Sequence, residues 1–328
     1  MRVVSLLPSA TEMLYAIGVE PVAVSHECDY PPAACDRPSV IDTRIDPDAD
    51  STAINEQVTD AEASGGVYEI DRELLADLDP DVVVSQGICE VCAIDDSAIR
   101  QAVADLSLDA RIVTSDPHSL DDVFADLERL GGVFGREERA REVVSDLRSR
   151  VAAITDATAD AEGGPRVAVF DWLDPVMVAG HWVPGMIERV GGSYGLADPG
   201  DRSTPREWAE ILAYDPEVIV AAPCGFELDQ TAENRTDLTD REGWRDLTAV
   251  REGRVYAVDG HHYVNRPGPR LIDTLELFAG VLWGTAETPP EAVLEWPDLA
   301  DARSGDAPES RPDGVPESRP DGMPESRS

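Results

Sequence analysis

The chain has 328 residues, 42% of them hydrophobic, enough for a buried core and for two lobes. Asp and Glu number 66 against 27 basic residues, all of them Arg, for a formal net charge of −39. Such acidity all but excludes nucleic acid, whose phosphates would go unneutralised, and argues against an anionic membrane surface; no apolar run approaches the ~20 residues of a membrane helix.

Residues 3–6 (Val-Val-Ser-Leu) read as a buried strand. A helix follows through Ile17, with Ser9 or Thr11 as its cap and Gly18 as its stop. Residues 21–24 form a short strand and 26–32 a loop, because Pro31 and Pro32 forbid helix. The stretch 42–66 is acidic and weakly patterned and is expected to be a surface excursion. Residues 71–78 make a short helix that ends at Asp79-Pro80-Asp81. Val82, Val83 and Val84 are apolar in succession, as in a strand covered on both faces. A helix over 94–106 and a strand over 111–113 complete the unit.

Ser119 ahead of Asp121 and Asp122 marks an acid-biased helix start. Leu120, Val123, Phe124, Leu127 and Leu130 fall at helical spacing. The pattern resumes after Gly131, Gly132 and Gly135 through Ala140, Val144, Leu147, Val151 and Ile154. Residues 119–157 therefore read as two consecutive helices, the second a long connector. A second α/β unit follows: strands at 167–170, 218–221 and 255–258, helices at 185–190 and 207–214, and a closing helix over 269–284. Residues 74–84 and 211–220 echo each other as helix, Pro-marked turn and buried strand. Duplicated α/β lobes, 1–118 and 161–290, joined by connector helices within 119–160, place the default ligand cleft between lobes. The tail, 300–328, repeats Pro-Glu-Ser-Arg from Pro308, Pro316 and Pro324 without core-forming residues and is expected to be disordered.

The chemistry-bearing residues cluster after strands. No Gly-x-Ser-x-Gly elbow, Walker loop, His-Glu-x-x-His or dinucleotide fingerprint occurs, so nucleophilic and nucleotide enzymes are not expected. The cysteines are Cys28, Cys35, Cys89, Cys92 and Cys224, an odd set whose spacing argues against a disulfide framework. Cys89 and Cys92 form one CxxC beyond strand 82–84, where α/β ligand sites gather. One CxxC serves as a redox pair or as half a zinc site. A zinc ribbon fails for want of a second pair, and Cys28, Cys224, His26 or His262 complete a site only if the cleft gathers them; the plainer reading is small, partly buried thiols. Three loops, 26–32 (His-Glu-Cys-Asp-Tyr-Pro-Pro), 223–226 (Pro-Cys-Gly-Phe) and 260–263 (Gly-His-His-Tyr), are expected to line one face of that cleft. Each alone reads as a turn with a satisfied His; together they suit a large, mostly apolar ligand with a few polar anchors.

Abundant carboxylates without Lys also suggest adaptation to molar salt, where the Debye length falls to about 3 Å and self-repulsion fades. The expected result is a melting temperature that climbs steadily between dilute buffer and molar KCl; a flat series would remove the reading.

Several segments together resemble the cobalamin- and iron-chelate-binding proteins of ABC importers, the helical-backbone substrate-binding class. They are Val4-Ser5-Leu6-Leu7-Pro8-Ser9-Ala10-Thr11-Glu12, Asp29-Tyr30-Pro31-Pro32, Leu78-Asp79-Pro80-Asp81-Val82-Val83 and Arg266-Pro267-Gly268-Pro269-Arg270-Leu271. The resemblance spans about residues 1–285, and its nearest branch is the cobalamin-binding-like proteins without a leader, similar at 26–32, 88–92 and 223–226. It implies two Rossmann-like lobes bridged by a long helix, with the ligand held between them and little hinge motion. Carried over by position, Pro8 and Tyr30 touch a corrinoid from the first lobe, and His262 and Arg266 from the second. His262 is then either a cobalt ligand or a hydrogen-bonding partner of a corrin amide.

Importers dock such proteins through one surface Glu per lobe: Glu73 stands at the first position, and at the second Ala209 is followed by Glu210. The expectation is cobalamin as ligand and no catalysis, in a solute-binding protein or an intracellular carrier, with Pro8, Tyr30, Cys89, Cys92, Trp172, Cys224, Phe226, His262 and Arg266 around it; Glu73 and Glu210 are the docking candidates for an importer permease, but the one-residue offset at Glu210 turns that side chain by about 100° and weighs against this partner. Iron–siderophore or haem binding is the first alternative, though an oxygen-rich chelate favours an Arg cluster, whereas Trp172, Trp182 and Phe226 suit a bulky macrocycle. A thiol-dependent redox or metal enzyme using Cys89 and Cys92 is the second. Without a visible leader, the expected location is cytoplasmic, or extracytoplasmic if the start is mis-assigned.

Overall fold

The computed structural model describes residues 1–64, 66–88, 94, 96–159 and 163–296. Cys89, Cys92 and the repeat tail at 300–328 lie outside the described residues.

The first lobe starts with β1 (Val3–Ser5) and α1 (Pro8–Ala16). Leu7, not Ser9 or Thr11, is the N-cap of α1. Pro8 takes the first helical position, where its missing N–H costs nothing and its fixed φ already suits the helix. Thr11 is buried inside the helix and donates its hydroxyl to Ser5 Oγ at 2.8 Å. Gly18 follows at φ +75°, the left-handed stop its position suggested.

Next come β2 (Val24–Ser25), β3 (Ser39–Thr43), α2 (Ser51–Ser64), β4 (Tyr68–Ile70), α3 (Arg72–Leu78), β5 (Val82–Gln86), α4 (Asp96–Asp105) and β6 (Arg111–Ser115). Parallel strands run in the order β1-β5-β6, and β2-β3-β4 form a second sheet that meets β1 at a Val4–Ala23 bridge. Helix α2 corrects the reading of 42–66 as an excursion. Asp50 caps it, accepting from Ala53 N at 2.8 Å, and its first turn is tied to the other lobe, so tertiary bonds rather than an apolar stripe hold it.

Helices α5 (Leu120–Phe134) and α6 (Glu137–Thr158) are the predicted pair. Ser119 caps α5, and Gly135 at φ +65° ends it. Gly131 lets the two helices close, because a Cβ there would lie 2.5 Å from the Ala140 Cβ. At 22 residues, α6 is about 33 Å long and bridges the lobes.

In the second lobe β7 (Val167–Trp172), β8 (Met177–Val178), α7 (Val183–Arg189), β9 (Thr204–Pro205), α8 (Trp208–Tyr214) and β10 (Val218–Ala221) are followed by α9 (Leu228–Glu233), α10 (Thr236–Thr239) and α11 (Thr248–Arg251). Then come β11 (Val255–Val258), α12 (Leu271–Trp283) and β12 (Val293–Glu295). The sheet order is β12-β11-β10-β7-β8-β9, with β7, β10 and β11 parallel. One apolar core runs through both lobes, from Leu14 and Leu127 across Val144 and Leu147 of α6 to Leu275, Phe278 and Phe170. Arg150 on α6 donates to Asp273 of α12 at 2.6 Å and pins that seam. Among the described residues no helix is long and apolar enough to cross a membrane.

Candidate ligand-binding site between the lobes

Parallel strands deliver their carboxyl ends, and the loops beyond them, to the junction between lobes. Beyond β11, Asp259 caps a tight turn at Gly260–Val264 by accepting from His262 N at 2.7 Å. This turn lies against the loop after β10: Gly260 N and His261 N both donate to Phe226 O, at 3.0 and 3.1 Å. Only glycine fits at 260, because a Cβ would lie 2.1 Å from Pro223 O. Asn265 Nδ2 donates to Ala222 O at 3.1 Å and closes the arrangement.

The loop after β2 meets that turn from the other lobe. Arg266 donates through Nη1 to Asp29 Oδ1 and through Nη2 to Glu27 O at 3.3 Å. His262 Nε2 stands 2.9 Å from Asp29 Oδ2, while its Nδ1 stands 2.8 Å from Asp259 Oδ2. Arg266 Nη2 also donates to His261 Nε2 at 2.8 Å. Above them Arg270 donates to Glu12 Oε1 at 2.6 Å, and its guanidinium lies 4.6 Å from the centre of the Tyr30 ring. First-lobe acids thus face second-lobe bases.

The charges respond to one another. Burial pushes the Glu12 carboxyl above its ordinary range against the pull of Arg270 and Arg266. Burial pushes Asp29 the same way, but hydrogen bonds from His262 and Arg266 outweigh it and hold Asp29 well below the usual carboxylate range. Asp259 and Asp29 hold His262 as imidazolium, pushed up to about 9. Burial, with Arg266 and His262 alongside, lowers His261 to about 4, so that it is neutral at pH 7.

Among the expected residues, the structure gathers Tyr30, His262 and Arg266 around Asp29. Gly268 packs on Ser9, which brings Pro8, half-buried, beside the same segment. Trp172, at the end of β7, lies 5.1 Å from Phe226 between ring centres, and Cys224 N donates to Asp171 O at 2.9 Å beside them. Three expectations change. Phe226 is 2% exposed, so it backs Trp172 from the core and offers almost no surface of its own. Arg266 is 5% exposed and already paired, so it is a tie between lobes before any ligand arrives. Both nitrogens of His262 already face carboxylates, so a corrin amide or a cobalt ion would have to displace the Asp29 contact to reach the ring. Cys89 and Cys92 lie outside the described residues. Glu73 and Glu210 are exposed in the first turns of α3 and α8, with Arg206 3.7 Å from Glu210.

Asp29, Asp259, Glu12, His261 and Arg270 were not singled out as site residues. Glu12 and Arg270 are 258 positions apart, and nothing local signals the pairing. A second tie between lobes was equally invisible: Ser51 N donates to Asn234 Oδ1 at 2.9 Å, Ser51 Oγ to Asp237, and Gln230 Nε2 to Pro47 O at 2.5 Å.

A family model described as periplasmic binding protein matches residues 3–261. A curated cobalamin-binding protein of Halobacterium salinarum is 27% identical over 290 residues, covering 87% of this chain and 70% of that protein. A vitamin B12-binding protein of Vibrio cholerae is 25% identical over 285 residues, covering 84% of this chain and 86% of that one. The solved periplasmic vitamin B12-binding protein BtuF of Vibrio cholerae superposes with a TM-score of 0.62 at 22% identity, covering 87% of this chain and 97% of that one. A periplasmic haem-binding protein from Pseudomonas aeruginosa gives 0.66 at 21%, covering 88% and 96%. At these identities the structural likeness carries the fold, two α/β lobes and their bridging helix.

Proposed function

The chain belongs to the periplasmic binding protein family, and from that premise we propose that it binds a corrinoid between its lobes, as a solute-binding protein rather than an enzyme. One observation carries the reading: the loops after β2, β10 and β11 come from both lobes and converge, hydrogen-bonded to one another, with Trp172 beside them and backed by Phe226, the two ring planes tilted at 59°. The partly exposed rings of Trp172 and Tyr30 beside fixed polar groups suit a large macrocycle with amide side arms. Relatives named for cobalamin or vitamin B12 over most of this chain support it.

Haem is the second reading, favoured by the fold shared with haem-binding structures. It is disfavoured by charge. Arg266 and Arg270 already face Glu12 and Asp29, so they offer little net positive potential to an anionic chelate. Glu73 and Glu210, exposed one per lobe, are our proposed contacts for an importer permease.

The test is incubation with hydroxocobalamin in molar KCl, followed by desalting and a visible spectrum, with haem run in parallel. Retained cobalamin absorbance supports the reading; retention of haem alone overturns it. Tyr30 is 48% exposed, so Tyr30→Ala is expected to leave the melting temperature unchanged while raising the cobalamin Kd about tenfold, or ~1.4 kcal/mol. An unchanged Kd would remove Tyr30 from the contact surface.

A further inference from the structure

The polar junction contains a donor set that neither macrocycle requires. Asp29, His261 and His262 each offer one ligand atom, and these atoms all lie within 4.8 Å of one another. We propose that Asp29, His261 and His262 form a site for a single divalent transition cation of the Co²⁺, Ni²⁺ or Zn²⁺ class, closed between the two lobes.

Three features of the geometry argue for this. His262 turns Nδ1 onto Asp259 Oδ2 at 2.8 Å, and Asp259 is 5% exposed. That buried carboxylate fixes the ring and directs Nε2 at Asp29, the arrangement by which an outer carboxylate orients a metal-binding imidazole. Next, Asp29 Oδ2 stands 2.9 Å from His262 Nε2 and 3.8 Å from His261 Nε2, while Arg266 holds Oδ1 through Nη1 and reaches Oδ2 through Nη2 at 3.3 Å. Finally, the two imidazoles stand edge to face with centres 4.6 Å apart, and both Nε2 atoms lie within 4 Å of the one oxygen, Asp29 Oδ2. Two imidazoles and a carboxylate suit borderline cations better than Ca²⁺ or Mg²⁺, which prefer all-oxygen shells, and better than Cu⁺, which prefers sulfur.

Binding requires two changes. The cation takes the place of the proton on His262 Nε2, which leaves to solvent. Arg266 Nη2, which donates to His261 Nε2 at 2.8 Å and to Asp29 Oδ2 and Glu27 O at 3.3 Å, withdraws from all three while Nη1 keeps Asp29 Oδ1. No bond is oxidised or reduced. Because Asp29 belongs to one lobe and the histidines to the other, the bound cation would join them.

The experiment is a CoCl₂ titration of the chelator-treated full chain in about 1 M KCl, where weak binding to surface carboxylates is screened. The visible d–d bands are followed. The expected result is saturation at one equivalent, abolished by Zn²⁺, with affinity lowered at least about tenfold by His261→Ala and by His262→Gln. Among the described residues, the His261 side chain hydrogen-bonds to Arg266 and otherwise lies 3.8 Å from Asp29 and against the His262 ring, so its variant should fold; circular dichroism and melting in the same buffer check both variants. No saturable band, or a band that survives both variants, overturns the site. Cobalamin is titrated into the metal-free chain alongside. Corrinoid binding without a Co²⁺ band removes the cation site alone, and a Co²⁺ band without corrinoid binding removes the corrinoid reading alone.

Discussion

Arg266→Ala is expected to cost about 3–5 kcal/mol of stability, the range for removing one partner of a buried, hydrogen-bonded ion pair. Arg266 is 5% exposed and donates to Asp29, Glu27 O and His261, with Glu12 Oε1 3.7 Å away. Its loss leaves Asp29 with His262 as its main partner and Glu12, 2% exposed, dependent on Arg270. Salt is expected to offset little of that loss, because the Arg266 side chain is 5% exposed even though Asp29 is 31% exposed. Arg266→Lys keeps the charge but cannot satisfy the same set of acceptors, and is expected to recover only about half. Urea unfolding at fixed molar KCl measures both. A loss under about 1 kcal/mol, the level of an exposed pair, would show that the junction is solvated.

Gly260→Ala has the second large expected effect, for a steric reason. An added Cβ would stand 2.1 Å from Pro223 O and 2.8 Å from Ala222 O. Both obstacles are backbone, so no side-chain rotation relieves them. The turn carrying His261 and His262 must move away from the loop after β10, breaking the hydrogen bonds to Phe226 O. The expected cost is about 3 kcal/mol, the upper part of the range for overpacking. Cobalamin affinity should fall with it if those loops form the binding surface. Thermal unfolding together with the cobalamin titration checks this, and wild-type values in both would refute the close packing.

The legible parts of this fold are those whose signals are local. Helices α5 and α6 announced themselves through Ser119, acids in the first turn, apolar residues at helical spacing and a glycine break. Strands β5 and β10 did so through successive β-branched residues beside an Asp-Pro or Pro-Asp turn. The short elements β8, β9, α10 and α11, of two to four residues, carry neither a run of β-branched residues nor a full helical repeat and left no trace. Helix α2 was missed because much of what holds it is a set of bonds to residues about 180 positions away.

The site divides in the same way. That loops 26–32, 223–226 and 260–263 follow strands was readable, and the α/β rule then brought them together. The pairing of Glu12 with Arg270 and of Asp29 with Arg266 was not, because in a chain with 66 carboxylates no single acid stands out until its neighbours are known.

The two ties between lobes bear on exchange. One joins Asp29 and Glu27 to His262 and Arg266, the other joins Pro47 and Ser51 to Gln230, Asn234 and Asp237. If the proposed ligand lies between them, its departure calls for both ties to let go within the same opening. Their combined lifetime, more than the frequency of encounter, would then set how long cargo is retained, with tight retention arising from slow release.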